Sequence, residues 1–173
     1  MTIKLLPVPQ VQITTLPAGA LLQAYAGAGA YTDCFSVKLA CSATLAEFMA
    51  AFYTTPVFKL ERWLLMHLLR HPSTDEGALA LAQGRVSKFS AWHVEAREAD
   101  QAILAAGRTR SWLMVASGSP QPGEVTTLFF GSAVTPRRRG GFGWQFSALL
   151  GFHKLYSRIL LGAAARRLAG SAA

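Results

Sequence analysis

The stretch that decides the fold lies at residues 85–117 and has the sequence RVSKFSAWHVEAREADQAILAAGRTRSWLMVAS. Apolar and polar residues alternate along much of it, which is typical of β-strands. The strand-like segments are 85–97, 99–106 and 108–117. Only Glu98 and Gly107 separate them, and breaks this short join antiparallel neighbours without room for a crossover helix. We therefore predict an antiparallel meander, which residues 124–134 (EVTTLFFGSAV) extend after a loop.

One further strand and several short helices are predicted before the meander. Residues 31–39 (YTDCFSVKL) alternate and carry aromatic and β-branched side chains, so they predict a strand. Capping-box spacing or an N-cap followed by proline then marks three helix starts, at Thr44 with Glu47, Thr55 with Pro56, and Ser73 with Glu76. We expect these helices to end near Tyr53, at Pro72 and at Gly84.

A long helix, from about Trp144 to Leu168, is predicted to close the chain. A curved antiparallel sheet has one face to cover, and a terminal helix lying across it does so. The predicted fold class is therefore α+β, a curved antiparallel sheet wrapped around a long C-terminal helix. A chain of 173 residues suits one domain. We divide it into an extended lead-in at 1–30, part of the same unit, and the domain proper at 31–173.

The composition indicates a soluble and basic protein. Apolar residues make up 51% of the chain and charged residues only 15%, which excludes a disordered chain. The net charge is +8, and no acidic residue follows Glu124. The region 137–167, with Arg137, Arg138 and Arg139 in a glycine-rich loop, is either a solubility device or a surface for phosphate or anionic lipid.

Neither a targeting segment nor a membrane span is predicted. The start lacks an apolar signal core, and apolar runs break before the roughly 20 residues that a span requires. We therefore expect a cytoplasmic protein. Cys34 and Cys41 are the only cysteines, and free thiols are expected for both in a chain of this size.

Residues 151–160 (GFHKLYSRIL) place polar groups on the apolar side of the terminal helix. At 100° per residue, the residues within about 60° of His153 are Phe146, Leu149, Leu150, Tyr156, Ser157, Leu160 and Ala164. The expected solvent face carries Ser147, Gly151, Lys154, Arg158 and Gly162. Buried without partners, an imidazole, a phenol and a hydroxyl would each cost about 1–3 kcal/mol. We expect His153, Tyr156 and Ser157 to bond to one another, the sheet, water or a ligand.

The strands supply further candidate ligand contacts. By alternation Trp92 lies on the apolar face of its strand, and Phe129 and Phe130 lie on opposite faces. We assign Trp92, Trp112 and Phe130 to the wall of a cavity. Glu95 and Arg97 share the other face, where surface ion pairing is the first expectation. In a bent sheet with bulges they would instead turn into the cavity mouth and hold an anionic group.

Motifs for other chemistry are weak. His67 and His71 are four residues apart on a predicted helix, but Pro72 follows and no glutamate stands where a metalloprotease motif needs it. The glycines at 27–30 lack the strand and helix that surround a phosphate loop. No metal site and no cofactor are therefore predicted.

Four segments, FSAWHVEAR, RTRSWLMV, LFFGSAV and GFHKLYSRILL, resemble an uncharacterised bacterial domain family in or near the START and polyketide-cyclase superfamily. The resemblance covers roughly residues 31–168. It implies the helix-grip fold, in which a bent sheet wraps a C-terminal helix around an apolar cavity. It carries over no established catalytic residues.

These observations lead to one functional expectation and two alternatives. The first is binding of a small apolar or amphipathic molecule between sheet and terminal helix. The second is a cyclase, isomerase or hydrolase that uses the same cavity, with His153 as acid or base and Tyr156 assisting. The third is nucleic-acid or anionic-membrane binding through residues 137–167. Nucleic acid is disfavoured, since Lys154 and Arg158 alone form the basic stripe before the last turn. The sequence leaves open whether the protein is an enzyme.

Overall fold

Seven strands form one antiparallel sheet in the computed structural model of this chain. The structure describes residues 10–59, 74–117, 125–136 and 144–171, and of residues 144–150 it describes the backbone only. The strands are β1 Gln12–Ile13, β2 Tyr31–Leu39, β3 Lys88–Phe89, β4 Trp92–Arg97, β5 Gln101–Ala106, β6 Thr109–Ser117 and β7 Thr126–Val134. Their order in the sheet is β1-β2-β7-β6-β5-β4-β3, and every neighbouring pair is antiparallel. The predicted meander is confirmed, and β2 closes against its last strand.

The helices whose bounds fall within the described residues are α1 Gln23–Gly27, α2 Leu45–Tyr53, α3 Asp75–Ala82 and α4 Trp144–Ser171. α4 contacts α2, β2 and β7, so it lies across the β2 side of the sheet. This arrangement is the predicted α+β, helix-grip-like topology, with short helices after β2. None of the described helices is both long and apolar enough to cross a membrane.

Local signals set the helix starts. The Thr44 side chain accepts a hydrogen bond from the Glu47 backbone N–H at 3.2 Å, and Glu47 Oε2 accepts from the Thr44 backbone N–H at 2.8 Å, which confirms the capping box. The Phe58 backbone N–H donates to Thr55 Oγ1 at 3.2 Å, as expected at the second predicted start. The remainder of that helix, with His67 and His71, lies outside the described residues.

Two boundaries differ from the prediction. α3 is capped by Thr74, one residue after the expected Ser73, because extended backbone at Thr74 brings its hydroxyl to the Gly77 backbone N–H at 3.1 Å. The single strand expected at 85–97 is two strands, β3 and β4. Ser90 has a φ of 53°, a left-handed conformation that ends β3 and turns the chain into β4.

The two faces of the sheet are covered by different parts of the chain. The helix face packs against α2, α3 and α4 through buried side chains that include Phe35, Leu104, Leu113, Leu128 and Phe130. Burying each large side chain stabilises the fold by about 1.5–3 kcal/mol. On α4, Ser157, Leu160 and Ala164 are buried as expected.

Part of the predicted solvent face of α4 is wrong. Gly162 is buried, and a Cβ built on it would lie 3.5 Å from Val11 Cγ2 of the lead-in. Phe152, Leu155 and Ile159 are exposed although they are apolar. Val11 of the lead-in therefore packs beside a position of α4 that the helical periodicity assigned to the solvent face.

The lead-in also covers the opposite face of the sheet, which we call the lead-in face. Ala20 and Leu22 pack there against Cys34, Ile103 and Trp112. The buried Gln101 side chain ties the two parts together. Its Oε1 accepts from the Leu21 backbone N–H and from Trp112 Nε1, both at 2.9 Å, and its Nε2 donates to the Gly19 carbonyl at 3.0 Å. The described part of the lead-in is thus both packed on the sheet and hydrogen-bonded to it.

Candidate functional site

A cavity of about 610 Å³ lies between α4 and the helix face of the sheet, beside β3 to β6. Its wall is largely apolar and aromatic and includes Phe52, Phe58, Trp92, Phe130 and Leu160. Both the size and the composition are typical of small-molecule sites.

Aromatic side chains at specific positions of the strands form part of this wall. Trp92 pairs with Phe89 across the β3–β4 hairpin, and both pack into the core of the helix face. Phe130 pairs with Leu113 on the same face, and its ring lies 4.7 Å from that of Phe52 on α2. The alternation along each strand therefore positions these rings, and α2 completes the wall.

α4 contributes the three polar residues that the sequence singled out. His153, Tyr156 and Ser157 all line the cavity, as do Trp92 and Phe130. His153 is part-exposed, Tyr156 is half-buried and stacks on Phe152, and Ser157 is buried. The structure thus brings five of the eight predicted contact residues together, and their role in binding stays a prediction.

His153 is anchored to two strands by one nitrogen. Ser132 on β7 donates to Asp33 Oδ1 at 2.7 Å, and the Ser132 backbone N–H donates to the same oxygen at 3.0 Å. Since the Ser132 hydroxyl has one hydrogen, its 2.8 Å contact with His153 Nε2 places a proton on that nitrogen. Nε2 also lies 3.4 Å from Asp33 Oδ2. In the neutral imidazole, Nδ1 is then the basic nitrogen.

The electrostatics of this cluster favour an ionised carboxylate. Burial opposes ionisation of Asp33, but the hydrogen bonds from His153 and Ser132 and the charge of His153 outweigh it and lower its pKa. Tyr31 donates to Asp33 Oδ2 at 3.2 Å, and burial together with that carboxylate raises the pKa of the phenol. Asp33 therefore acts as a fixed negative charge beside the imidazole.

This arrangement is not a nucleophilic triad. A triad needs serine and carboxylate on different nitrogens of the histidine, so that the ring can take the serine proton. Here Ser132 and Asp33 both approach Nε2, and Ser132 is 1% exposed. The cluster can orient an imidazole at the edge of the cavity, where the ring could exchange a proton with a bound molecule.

Two polar atoms in the cavity wall have no hydrogen-bond partner among the described residues. Trp92 Nε1 and Ser157 Oγ are each buried, and the residues are 8% and 1% exposed. A buried polar group without a partner costs about 1–3 kcal/mol, and native structures leave few of them. Both residues line the cavity, but each of these two atoms exposes less than 1 Å² of its own surface.

Trp112 does not line this cavity. It is fully buried on the lead-in face, where its ring packs near Phe129 and its indole N–H donates to Gln101. Alternation correctly separates Trp112 from Leu113, but it does not tell which face holds the cavity. The lead-in gives the opposite face an apolar cover of its own, so a tryptophan there is needed for packing.

Glu95 and Arg97 also lie away from the cavity lining, and a β-bulge separates them. The register between β4 and β5 shifts between Val94 and Ala96, so strict alternation fails at this point. Glu95 accepts a hydrogen bond from Tyr25 of α1 and forms an ion pair with Arg110 at 2.7 Å. The shared face predicted for Glu95 and Arg97 is therefore wrong.

Arg97 binds the end of α3. Its guanidinium donates to the Leu81 carbonyl at 2.9 Å and to the Ala82 carbonyl at 2.5 Å. These carbonyls are at the C-terminal end of the helix, where a positive charge is favourable, and the Leu81 carbonyl also accepts from the Gly84 backbone N–H at 3.0 Å. Arg97 thus stabilises the helix end and faces a smaller cleft beside Gly84.

Sequence reasoning missed Asp33, Ser132 and Tyr31. Asp33 and Ser132 are direct partners in the β2–β7 register, which the sequence does not reveal. An acidic residue inside a predicted strand was the available signal, because a carboxylate that becomes buried needs partners.

Comparison of the chain with protein-family models, with curated proteins and with solved structures found no match. Among the described residues, no three His, Cys, Asp or Glu side chains are grouped as metal ligands. Of the basic region, Lys154 and Arg158 are exposed, while Arg137, Arg138 and Arg139 lie outside the described residues. Its binding to nucleic acid or membrane stays a prediction.

Proposed function

We propose that the protein binds a small apolar or amphipathic molecule in the cavity between α4 and the sheet. The observation that carries the proposal is a largely apolar and aromatic wall around a cavity of about 610 Å³, with His153, Tyr156 and Ser157 of α4 in its lining. The resemblance of four sequence segments to the START and polyketide-cyclase superfamily supports the same function, because the helix-grip fold encloses an apolar cavity between its sheet and its C-terminal helix.

A neutral apolar dye, N-phenylnaphthylamine, tests the proposal. Its fluorescence rises when it leaves water, and we expect saturable binding of one dye per chain. Ala106 lines the cavity beside the β5–β6 turn, so Ala106→Leu narrows it. Because leucine occupies space that the dye would fill, we expect the variant to lose roughly tenfold in dye affinity, about 1.4 kcal/mol.

Ala163→Leu is the matched control, because Ala163 is half-buried on α4 but is not part of the cavity lining. We expect it to leave the dye affinity within about twofold of the parent value. The absence of saturable binding, or an equal loss in both leucine variants, would contradict a ligand site in this cavity.

A second candidate function, acid–base catalysis in the same cavity, is favoured by the orientation of His153. The Asp33 carboxylate and the Ser132 hydroxyl hold Nε2 of an imidazole whose residue lines the cavity. His153 would act as the acid or base, Tyr156 would assist, and Asp33 would be a positioning residue.

The two functions can be distinguished by hydrogen–deuterium exchange on a ketone. NMR monitors how fast the acidic hydrogens of the bound ketone are replaced by deuterium. An enzyme of this type accelerates exchange, and the acceleration disappears in His153→Ala while dye binding persists. Asp33→Asn would displace the pH profile of the exchange, which loss of packing alone would not do. A binding protein without catalysis gives the same slow exchange in all three proteins.

A further inference from the structure

We infer that the outer face of α4 docks on a membrane surface that carries anionic lipid. The contact is made by Phe152, Leu155 and Ile159, which we call the apolar strip, together with the basic side chains beside it. The inference goes beyond the proposed function, because it concerns the exposed side of α4 and not the cavity that the helix shares with the sheet. A failure of ligand binding in the cavity would leave it intact.

The apolar strip is exposed although the helix that carries it packs against a sheet. Phe152 is 68% exposed, Leu155 57% and Ile159 42%. At 100° per residue, the three side chains lie within about 60° of one another around the helix axis, so they form one surface. Contiguous exposed apolar surface on a folded protein marks a site that contacts a protein, a ligand or a membrane.

Basic side chains accompany the strip. Lys154 and Arg158 lie on its flank, and Arg166 stands seven positions after Ile159, which is about two helical turns. All three basic residues are exposed, and none of them forms an ion pair with another described residue. Their positive charge is therefore available to a partner that lies on this face.

Acidic residues are absent from the segments that border the strip. α4 contains no Asp or Glu, and neither does the lead-in, whose Val11 packs beside Gly162 of the helix. The first acidic residue of the chain is Asp33, and its carboxylate is buried against His153. The outer face of α4 thus combines exposed hydrocarbon with positive charge, as do helices that lie in the interface of an anionic bilayer.

Two other occupants fit this face less well. A second copy of the chain would present the same patch across a two-fold axis and would bring the basic side chains of both copies close together. Nucleic acid would use the positive charge, but exposed leucine and isoleucine make no hydrogen bonds to phosphate or sugar. An anionic lipid surface uses both the hydrocarbon and the charge.

Vesicle sedimentation tests the inference on the full chain. We expect binding to vesicles made of equal parts of phosphatidylcholine and phosphatidylserine. Vesicles of phosphatidylcholine alone should bind at least about tenfold less tightly, because each basic residue near an anionic surface contributes about fivefold. Salt should weaken binding to the mixed vesicles, since the screening length falls to about 3 Å at about 1 M.

Matched substitutions locate the contact. Leu155→Gln removes hydrocarbon from the strip and should lower the affinity for the mixed vesicles about tenfold. Leu79→Gln makes the same change at an exposed position of α3 and should stay within about twofold of the parent. Arg158→Gln should lower the affinity about fivefold, whereas Arg85→Gln, at an exposed position outside α4, should not. Because all four positions are exposed, the melting temperatures should stay close to that of the parent.

Several outcomes would overturn the inference. One is equal binding to both kinds of vesicle, or binding to neither. Another is an equal loss in Leu155→Gln and Leu79→Gln, which would place the lipid contact elsewhere. A loss in Arg158→Gln without any loss in Leu155→Gln would indicate a purely electrostatic surface. Dimers that analytical ultracentrifugation detects and that Leu155→Gln abolishes would assign the strip to a second copy of the chain.

Discussion

Nε2 of His153 on α4 lies 3.4 Å from Oδ2 of Asp33 on β2, with the Ser132 hydroxyl of β7 in contact with both side chains. The terminal helix is thereby fastened to two adjacent strands at the edge of the cavity. Because the carboxylate is buried and fully engaged, it ties the stability of the fold to pH.

Asp33→Asn tests this connection. The folded state lowers the pKa of Asp33, so its contribution is present above the unfolded value of about 3.9 and is lost as pH falls through the folded value. We expect the variant to lose about 1–3 kcal/mol of unfolding free energy at pH 7. The difference in unfolding free energy between this variant and the parent protein should become smaller below about pH 4, as measured by urea unfolding. Asp100→Asn, at an exposed position, should show neither effect.

Gly131 is a position where the sheet has no room for a side chain. A Cβ there would lie 2.8 Å from the Asp33 carbonyl oxygen and 3.0 Å from Trp112 Cε3. We expect Gly131→Ala to destabilise the protein by about 1–3 kcal/mol in thermal unfolding. Gly151→Ala should do the opposite by about 0.5–1 kcal/mol, because nothing lies within 4 Å of a Cβ at this exposed helix position. If Gly131→Ala changed the stability no more unfavourably than Gly151→Ala, the close approach of the backbone at Gly131 would be contradicted.

Gln101 holds the lead-in to the sheet. Gln101→Ala would leave two buried donors, the Leu21 backbone N–H and Trp112 Nε1, without their shared acceptor. We expect a loss of about 2–4 kcal/mol in urea unfolding, together with faster hydrogen exchange at Leu21. Gln83→Ala removes the same side chain from an exposed site and should stay within about 0.5 kcal/mol of the parent.

Cys34 and Cys41 should differ in reactivity. Both thiols are free, Cys34 is buried, and Cys41 is partly exposed. Burial and the nearby Asp33 charge raise the pKa of Cys34 to about 12, so almost none of it is thiolate at pH 8. A colorimetric thiol reagent should titrate Cys41 in the native protein and Cys34 only after unfolding. Equal native rates would contradict the packing of β2.

Signals that act over a few residues predicted much of this fold. The alternation at 31–39 gave the bounds of β2, and Thr44 with Glu47 gave the start of α2. The short breaks at Glu98 and Gly107 excluded crossovers, which left an antiparallel sheet as the arrangement. The helical spacing of His153, Tyr156 and Ser157 brought these three residues to one side of α4, beside the cavity.

What the sequence did not predict depends on contacts between distant residues. The β-bulge after Val94 places the Arg97 side chain beside α3, and no pattern in the sequence predicts this bulge. Trp92 and Trp112 have equivalent patterns, yet the lead-in covers one face and leaves the cavity on the other. The partnership of Asp33 with Ser132 spans 99 positions and exists only because β2 pairs with β7.

The docking of the lead-in also bears on the order of events during synthesis. Residues 10–30 leave the ribosome early, but their acceptor at Gln101 stands 80 positions after Leu21. The surface on which Leu22 packs includes Ile103, Trp112 and Ala133, which are translated later still. The packed arrangement of these residues can therefore form only after β5, β6 and β7 have been synthesised.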